Sequence, residues 1–137
     1  MSDLAEAYRW LQPAVSDLET ADDNAENHPN AACFFAQQAA EKALKSIAVA
    51  TGLGHLRLPG IGELRNQIPG LGDMVSAEDA AALDLFHIPT RYPDALPGGI
   101  PGRAFTRQQA IEAIGRSRRV LAVASALLPQ LDEGREQ

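Results

Sequence analysis

Apolar residues recur three and four positions apart over most of the chain, which places them on one face of an α-helix. Leu4, Tyr8, Leu11, Val15, Leu18 and Ala25 form the first such face, and Ala7, Ala14 and Ala21 widen it. Asp3, with Glu6 three residues on, reads as a capping box and sets the start of a first helix. Pro13 lies inside this helix, removes one backbone hydrogen bond and predicts a bend. The pattern fades at "DDNAENHPN". Asn, His and Pro there mark a turn, and Pro29 suits the first turn of a second helix.

The second helix is predicted over residues 30–51, with Gly52 as its C-terminal stop. Ala36, Ala39, Ala40, Ala43, Leu44, Ile47 and Ala50 make its apolar face, and these small residues allow close helix approach. Phe34, Gln38, Glu41 and Lys45 fall at i, i+4, i+7 and i+11, a polar stripe along the flank of that face.

Glycine and proline then interrupt the pattern, leaving room for one short helix over residues 62–67. Ser76 and Asp79 form another capping box and open a helix that runs to about residue 86. "HIPTRYPDALPGGIPGRAF" carries four prolines and three glycines and reads as a long loop, a feature often tied to function. The last helix has the clearest start. Thr106 caps it, Gln109 completes the box, and Phe105 can staple onto Ala110. Ala110, Ile114, Ser117, Leu121, Ala124, Leu128 and Leu131 keep a seven-residue repeat, and Pro129 bends or ends the final turn. No strand pattern of convincing length and no internal repeat occurs. The order of elements predicts an all-α, antiparallel helical bundle over residues 1–131 and a disordered tail over 132–137.

Composition supports one helical domain: 137 residues, 45% hydrophobic, rich in alanine and leucine. The acidic, polar start "MSDLAEAYRW" is unlike a signal peptide, and no apolar run reaches membrane-spanning length, so a cytoplasmic location is expected. A single Cys33 excludes an internal disulfide and a Cys-based zinc site. The net charge of −6 argues against a general or sequence-specific DNA-binding protein. The charge is unevenly placed. Residues 1–85 hold five basic and thirteen acidic groups, whereas residues 86–131 hold six arginines against Asp94 and Glu112. A basic third in an acidic chain is either an anion site, a self-complementary contact or a solvated charged face.

Four segments together resemble the HEPN domain family: "WLQPAVSDLETA", "CFFAQQAAEKALKSI", "IPTRYPD" and "FTRQQAIEAIGRSRRVL". The second carries Gln38, Glu41 and Lys45 where the family pattern places Gln, Glu and Lys. The resemblance implies an up-and-down bundle of four main helices plus a short one, and a homodimer. Many relatives are encoded beside, and bind, a minimal nucleotidyltransferase, often as a toxin–antitoxin pair; others are ribonucleases. This chain departs from the family at two points. "GELRN" stands where many relatives carry His-Asp-Leu, and none of His28, His55 and His87 follows an arginine at the ribonuclease spacing of Arg, four to six residues, then His.

Metal-free RNA cleavage needs a base for the 2′-hydroxyl and a cation for the phosphorane. Arg91 supplies a cation. Tyr92 is a poor base, Asp94 would need desolvation, and His87 precedes Arg91 in the reverse of the family order. The histidines lack metal-ligand spacing, and no phosphate loop exists, so no catalytic set, metal site or cofactor is assigned. The expected surface for a nucleotide, RNA or protein partner joins Arg91, Tyr92 and Asp94 to Gln38, Glu41 and Lys45. In it Glu41 orients Arg91, and Gln38 and Lys45 present donors. Arg116 and Arg119, one turn apart on the last helix, are either a phosphate contact or a solvated face, and Glu112 can pair with Arg116. Three functions fit: a noncatalytic module that binds a nucleotide or docks a nucleotidyltransferase, an endoribonuclease with an atypical site around Arg91, or a structural dimerisation domain.

Overall fold

The computed structural model describes residues 2–53, 60–86 and 105–136, with side chains for 3–53, 60–86 and 105–131. Five α-helices and one 3₁₀ turn account for most of these residues, and no strand occurs among them. The helices are α1 (Ser2–Asn24), α2 (Pro29–Ala50), α3 (Ile61–Gln67), α4 (Ala77–Asp84) and α5 (Arg107–Glu136); the 3₁₀ turn is Leu71–Asp73. Three helices are long and mutually packed. α3 and α4 pair with each other and lean on α2, and α4 also meets α5. The fourth helix of the expected bundle is therefore short, with eight residues in α4.

α1 already includes Ser2, so Asp3 lies within its first turn, and the helix runs unbroken through Pro13. Its buried face is rotated from the one the sequence favoured. Ala7, Ala14 and Ala21 are fully buried, while Tyr8 and Val15 are 39% and 44% exposed. The cause is the partner surface. α2 presents Ala32, Ala36, Ala39, Ala40 and Ala43, all fully buried. Two alanine-lined helices approach closely only where both are small, so larger side chains move to the rim. Lys42 Nζ lies 2.6 Å from Asp17 Oδ2, and Lys45 lies over the ring of Trp10. The register falls on α1 as it rises on α2, which makes the pair antiparallel.

α2 starts with Pro29 in its first turn, as expected of a residue whose missing N–H needs no partner there. It ends in a Schellman motif: Leu53 N–H donates to Ala48 O (2.9 Å) and Gly52 N–H to Val49 O (3.1 Å), with Gly52 at φ +84°. α5 docks on α2 through Ser117, whose buried hydroxyl donates to Ala36 O at 2.7 Å. α5 begins with the complete capping box. Gln109 N–H donates to Thr106 Oγ1 (3.1 Å), and Thr106 N–H to Gln109 Oε1 (2.8 Å). Phe105 meets Phe86 edge to face, with centroids 5.0 Å apart, and so joins the end of α4 to the start of α5. α5 continues past Pro129 to Glu136, so the proline does not end it and no change of secondary structure marks residue 131.

Asp84, at the end of α4, accepts from the N–H groups of Ile61 (2.6 Å) and Gly62 (3.0 Å) and so caps α3. This close approach explains Gly60. Its φ is +107°, and a Cβ there would lie 2.9 Å from Asp84 Oδ1. Arg65 fixes the next connection by donating from Nε to Val75 O (2.6 Å) and from Nη2 to Gly72 O (3.0 Å).

Cys33 is fully buried on α2, and burial pushes its thiol up to about 12. The thiolate is the reactive form. A thiol-alkylating reagent at pH 8 should therefore label Cys33 only after denaturant unfolds the chain. Rapid labelling of the native protein, followed by mass spectrometry, would contradict this packing.

Candidate functional site

The predicted stripe on α2 exists, but its centre is a residue the sequence reading passed over. Gln38 Nε2 donates to Gln37 Oε1 at 2.7 Å, and Gln37 Nε2 donates to Glu41 Oε2 at 2.9 Å. Lys45 Nζ lies 3.2 Å from Glu41 Oε1 and 5.3 Å from the centroid of Trp10. Gln38, Gln37, Glu41 and Lys45 thus form one continuous polar row. Gln37 is fully buried and Glu41 is 9% exposed. Phe34 stacks edge to face on Phe35, 5.3 Å between centroids, just before the row. The expected donors do sit together, although Gln38 donates to Gln37 and Lys45 faces Glu41 and Trp10. The signal for Gln37 was legible: it lies between Ala36 and Ala40 on the buried arc, four residues before Glu41. A glutamine placed there must find a partner or leave a buried amide unsatisfied.

Such a row is held more firmly than an exposed one. Glu41 precedes Lys45 by four residues, the favourable direction for a helical pair. Its carboxylate is also hydrogen-bonded by Gln37 in a setting where water competes little. Arg91, Tyr92 and Asp94, the loop half of the expected surface, lie outside the described residues, as do His55, His87 and Arg103.

Arg116 and Arg119 occupy a second place, on the α4–α5 side. Both point at Asp79. Arg119 forks onto it, Nε to Oδ2 and Nη2 to Oδ1, each at 2.8 Å. Arg116 Nη1 donates to Oδ1 at 2.8 Å, and its Nη2 reaches Glu78 Oε1 at 3.4 Å. The expected pairing of Arg116 with Glu112 is replaced by these bonds, and Glu112 accepts from Gln108 instead. The capping box at Ser76 is correspondingly half formed. Asp79 N–H donates to Ser76 Oγ at 3.0 Å, but the Asp79 carboxylate is turned to the arginines. A bidentate guanidinium is the stronger partner.

The hydrogen bonds from Arg119, joined by those from Arg116, hold the Asp79 carboxyl below its ordinary range, against a burial that would raise it. A depressed folded-state pKa stabilises the fold above the unfolded value of about 3.9, and the gain is lost as pH falls through the folded value. Asp79→Asn should therefore be less stable than the parent at pH 7. The gap should close as pH falls below about 4, read as the difference in denaturant midpoint. A gap that stays constant down to pH 2 would contradict an ionic role.

The uneven charge of the sequence has a structural explanation here. Arg107 pairs with Glu26 (3.6 Å), Arg118 with Asp22 (3.9 Å), and Arg116 and Arg119 with Asp79. The described arginines of the basic third, Arg107, Arg116, Arg118 and Arg119, are matched by carboxylates from the acidic part of the chain. The first two pairs are mostly exposed and contribute little to stability. Among the described residues no cluster of three His, Cys, Asp or Glu is placed to hold a metal, and no helix is long and apolar enough to cross a membrane.

A helical bundle with a polar row on its second helix defines a class that comparison then makes specific. The model of the HEPN domain matches residues 7–127, and the chain belongs to the HEPN family. Its fold is similar to that of TT1696 from Thermus thermophilus, with 37% identity, a TM-score of 0.80, and coverage of 88% of this chain and 96% of the other. It is also similar to ST0689, an archaeal HEPN homologue, with 31% identity, a TM-score of 0.74, and coverage of 89% and 97%. Comparison with curated proteins finds no match.

Proposed function

We propose that this chain is a noncatalytic HEPN module that binds a nucleotide or docks a minimal nucleotidyltransferase, as one half of a toxin–antitoxin-like pair and as a homodimer. The observation that carries the reading is chemical. No histidine of the sequence follows an arginine at the spacing of the ribonuclease branch, so the proton-transfer group that branch uses has no counterpart. What remains is a polar row whose half-buried members, Gln38 and Lys45, are suited to recognition. Gln37, Gln38, Glu41 and Lys45 are locked to one another on a rigid helix, which lowers the entropy cost of binding. Arg91, Tyr92 and Asp94 are assigned to the same surface from the sequence pattern, with Pro89 and Pro93 limiting the freedom of that segment.

Two measurements test this. Co-expression with a minimal nucleotidyltransferase encoded in the neighbouring reading frame should yield a complex that survives size exclusion. A thermal-shift panel of nucleotides should raise the melting temperature for a specific ligand, because a ligand that binds only the native state stabilises it by mass action. Absence of both a complex and any shift would contradict the binding reading and favour a structural dimerisation role.

A further inference from the structure

Three large apolar side chains that stay exposed, Tyr8, Val15 and Ile111, lie where α1 runs beside α5. Tyr8, Val15 and Asp22 follow one another seven residues apart on one flank of α1. Ile111, Arg118 and Ser125 do the same on one flank of α5. Arg118 Nη2 lies 3.9 Å from Asp22 Oδ2, and Arg107 Nη1 lies 3.6 Å from Glu26 Oε1, so the two flanks are neighbours and the helices antiparallel. The same register carries Val15 to the level of Ala122 and Tyr8 to that of Pro129. We infer that this α1–α5 face is where two copies of the chain meet. The two-fold axis runs parallel to the helices, so that α1 of each copy lies on α5 of the other. The inference rests on the homodimer reading above and names its face.

Three observations select a second copy. First, the face has an uncharged centre and a charged end. No charged residue occurs over 10–16 of α1 or over 120–131 of α5, although Gln12, Val15, Ser16, Ala122, Ser125 and Ala126 are exposed. An apolar patch rimmed by polar groups marks a contact surface. Second, Gly115 stands on the outer side of α5, seven residues before Ala122. A Cβ there would meet nothing within 4 Å, so the fold of one chain does not call for glycine, and glycine weakens a helix interior. A bare position on a bare stripe suits close approach of a helix from outside the chain. Third, the charges are self-complementary. α1 and the turn after it supply Glu19, Asp22 and Glu26; α5 supplies Arg107 and Arg118. A two-fold axis along the helices keeps every residue at its own level and exchanges α1 for α5, so acid meets base again across the contact. Within one chain the two pairs are long, and their side chains are between 60% and 74% exposed, which leaves room for a second partner. The same exchange sets Val15 and Tyr8 of one copy over Ala122, Ala126 and Pro129 of the other, bulk against small residues. An axis perpendicular to the helices would instead turn the charged end of one copy onto the uncharged end of the other.

The test is sedimentation of the full-length protein over a range of concentrations. The parent should dimerise, and Ala122→Arg, at an exposed position, should weaken the dimer at least about tenfold while circular dichroism shows native helix content. Gly115→Leu should weaken it too, although leucine favours the helix of the single chain. Charge exchange tests the pairing itself. Asp22→Arg and Arg118→Asp should each dimerise less than the parent, because like charges then face one another across the contact. An equal mixture of these two variants should form a heterodimer, in which every acid meets a base. Dimerisation of a natively helical Ala122→Arg as strong as the parent's would overturn the face and leave the homodimer reading standing. So would a mixture no more dimeric than its two components, and that arm decides alone if Ala122→Arg loses helix content. A parent that is monomeric at every concentration would overturn the face and the homodimer reading together.

Discussion

Asp79→Ala is expected to lower the unfolding free energy by about 2–3 kcal/mol, between the value of an exposed ion pair and that of a buried one. The change removes the acceptor of three charge-assisted bonds and leaves Arg116, whose side chain is only 23% exposed, with the longer contact to Glu78 alone. It also removes an acid from the first turn of α4, where the helix dipole favours one. Because Asp79 joins α4 to α5, the loss should appear in the global denaturant midpoint. A double-mutant cycle with Arg119→Ala isolates the pair, since both changes break the same bonds. A loss under about 0.5 kcal/mol would show that solvent screens the cluster as it screens any surface pair.

Ala36→Leu should cost a comparable amount or more, about 1–3 kcal/mol from overpacking alone. Ala36 is fully buried, and its carbonyl accepts the hydroxyl of Ser117 across the α2–α5 contact. The three added carbons must be placed inside a fully buried contact, so α5 should shift and the 2.7 Å bond to Ser117 lengthen. Calorimetry should show a lowered melting temperature, and Ser117→Ala should add less in this background than alone. If Ala36→Leu is neutral, the helices are not in the close contact that the alanine-lined faces require.

The alanine spacing made the long helices legible from the sequence, because helix period and core-facing period are the same signal. The Thr106–Gln109 cap and the Gly52 stop were equally readable, since each is a local backbone requirement. The rotation of α1 was not. Tyr8 and Val15 fit the apolar spacing as well as Ala7 and Ala14 do, and only the small residues of α2 decide which set goes inside. Asp79 shows the same limit. Ser76 and Asp79 match a capping box, but two arginines some forty residues away draw the carboxylate off. Local sequence has no access to that competition. Gln37 was available and unread, because a stripe drawn at i, i+4, i+7 and i+11 steps over the position that joins its members.

Incubation of the full-length protein, in excess, with a mixed-sequence RNA and no added metal tests a noncatalytic HEPN bundle most directly. Intact RNA at long times is the predicted result. Cleavage that disappears in Arg91→Ala would contradict it and place Arg91 in an active site.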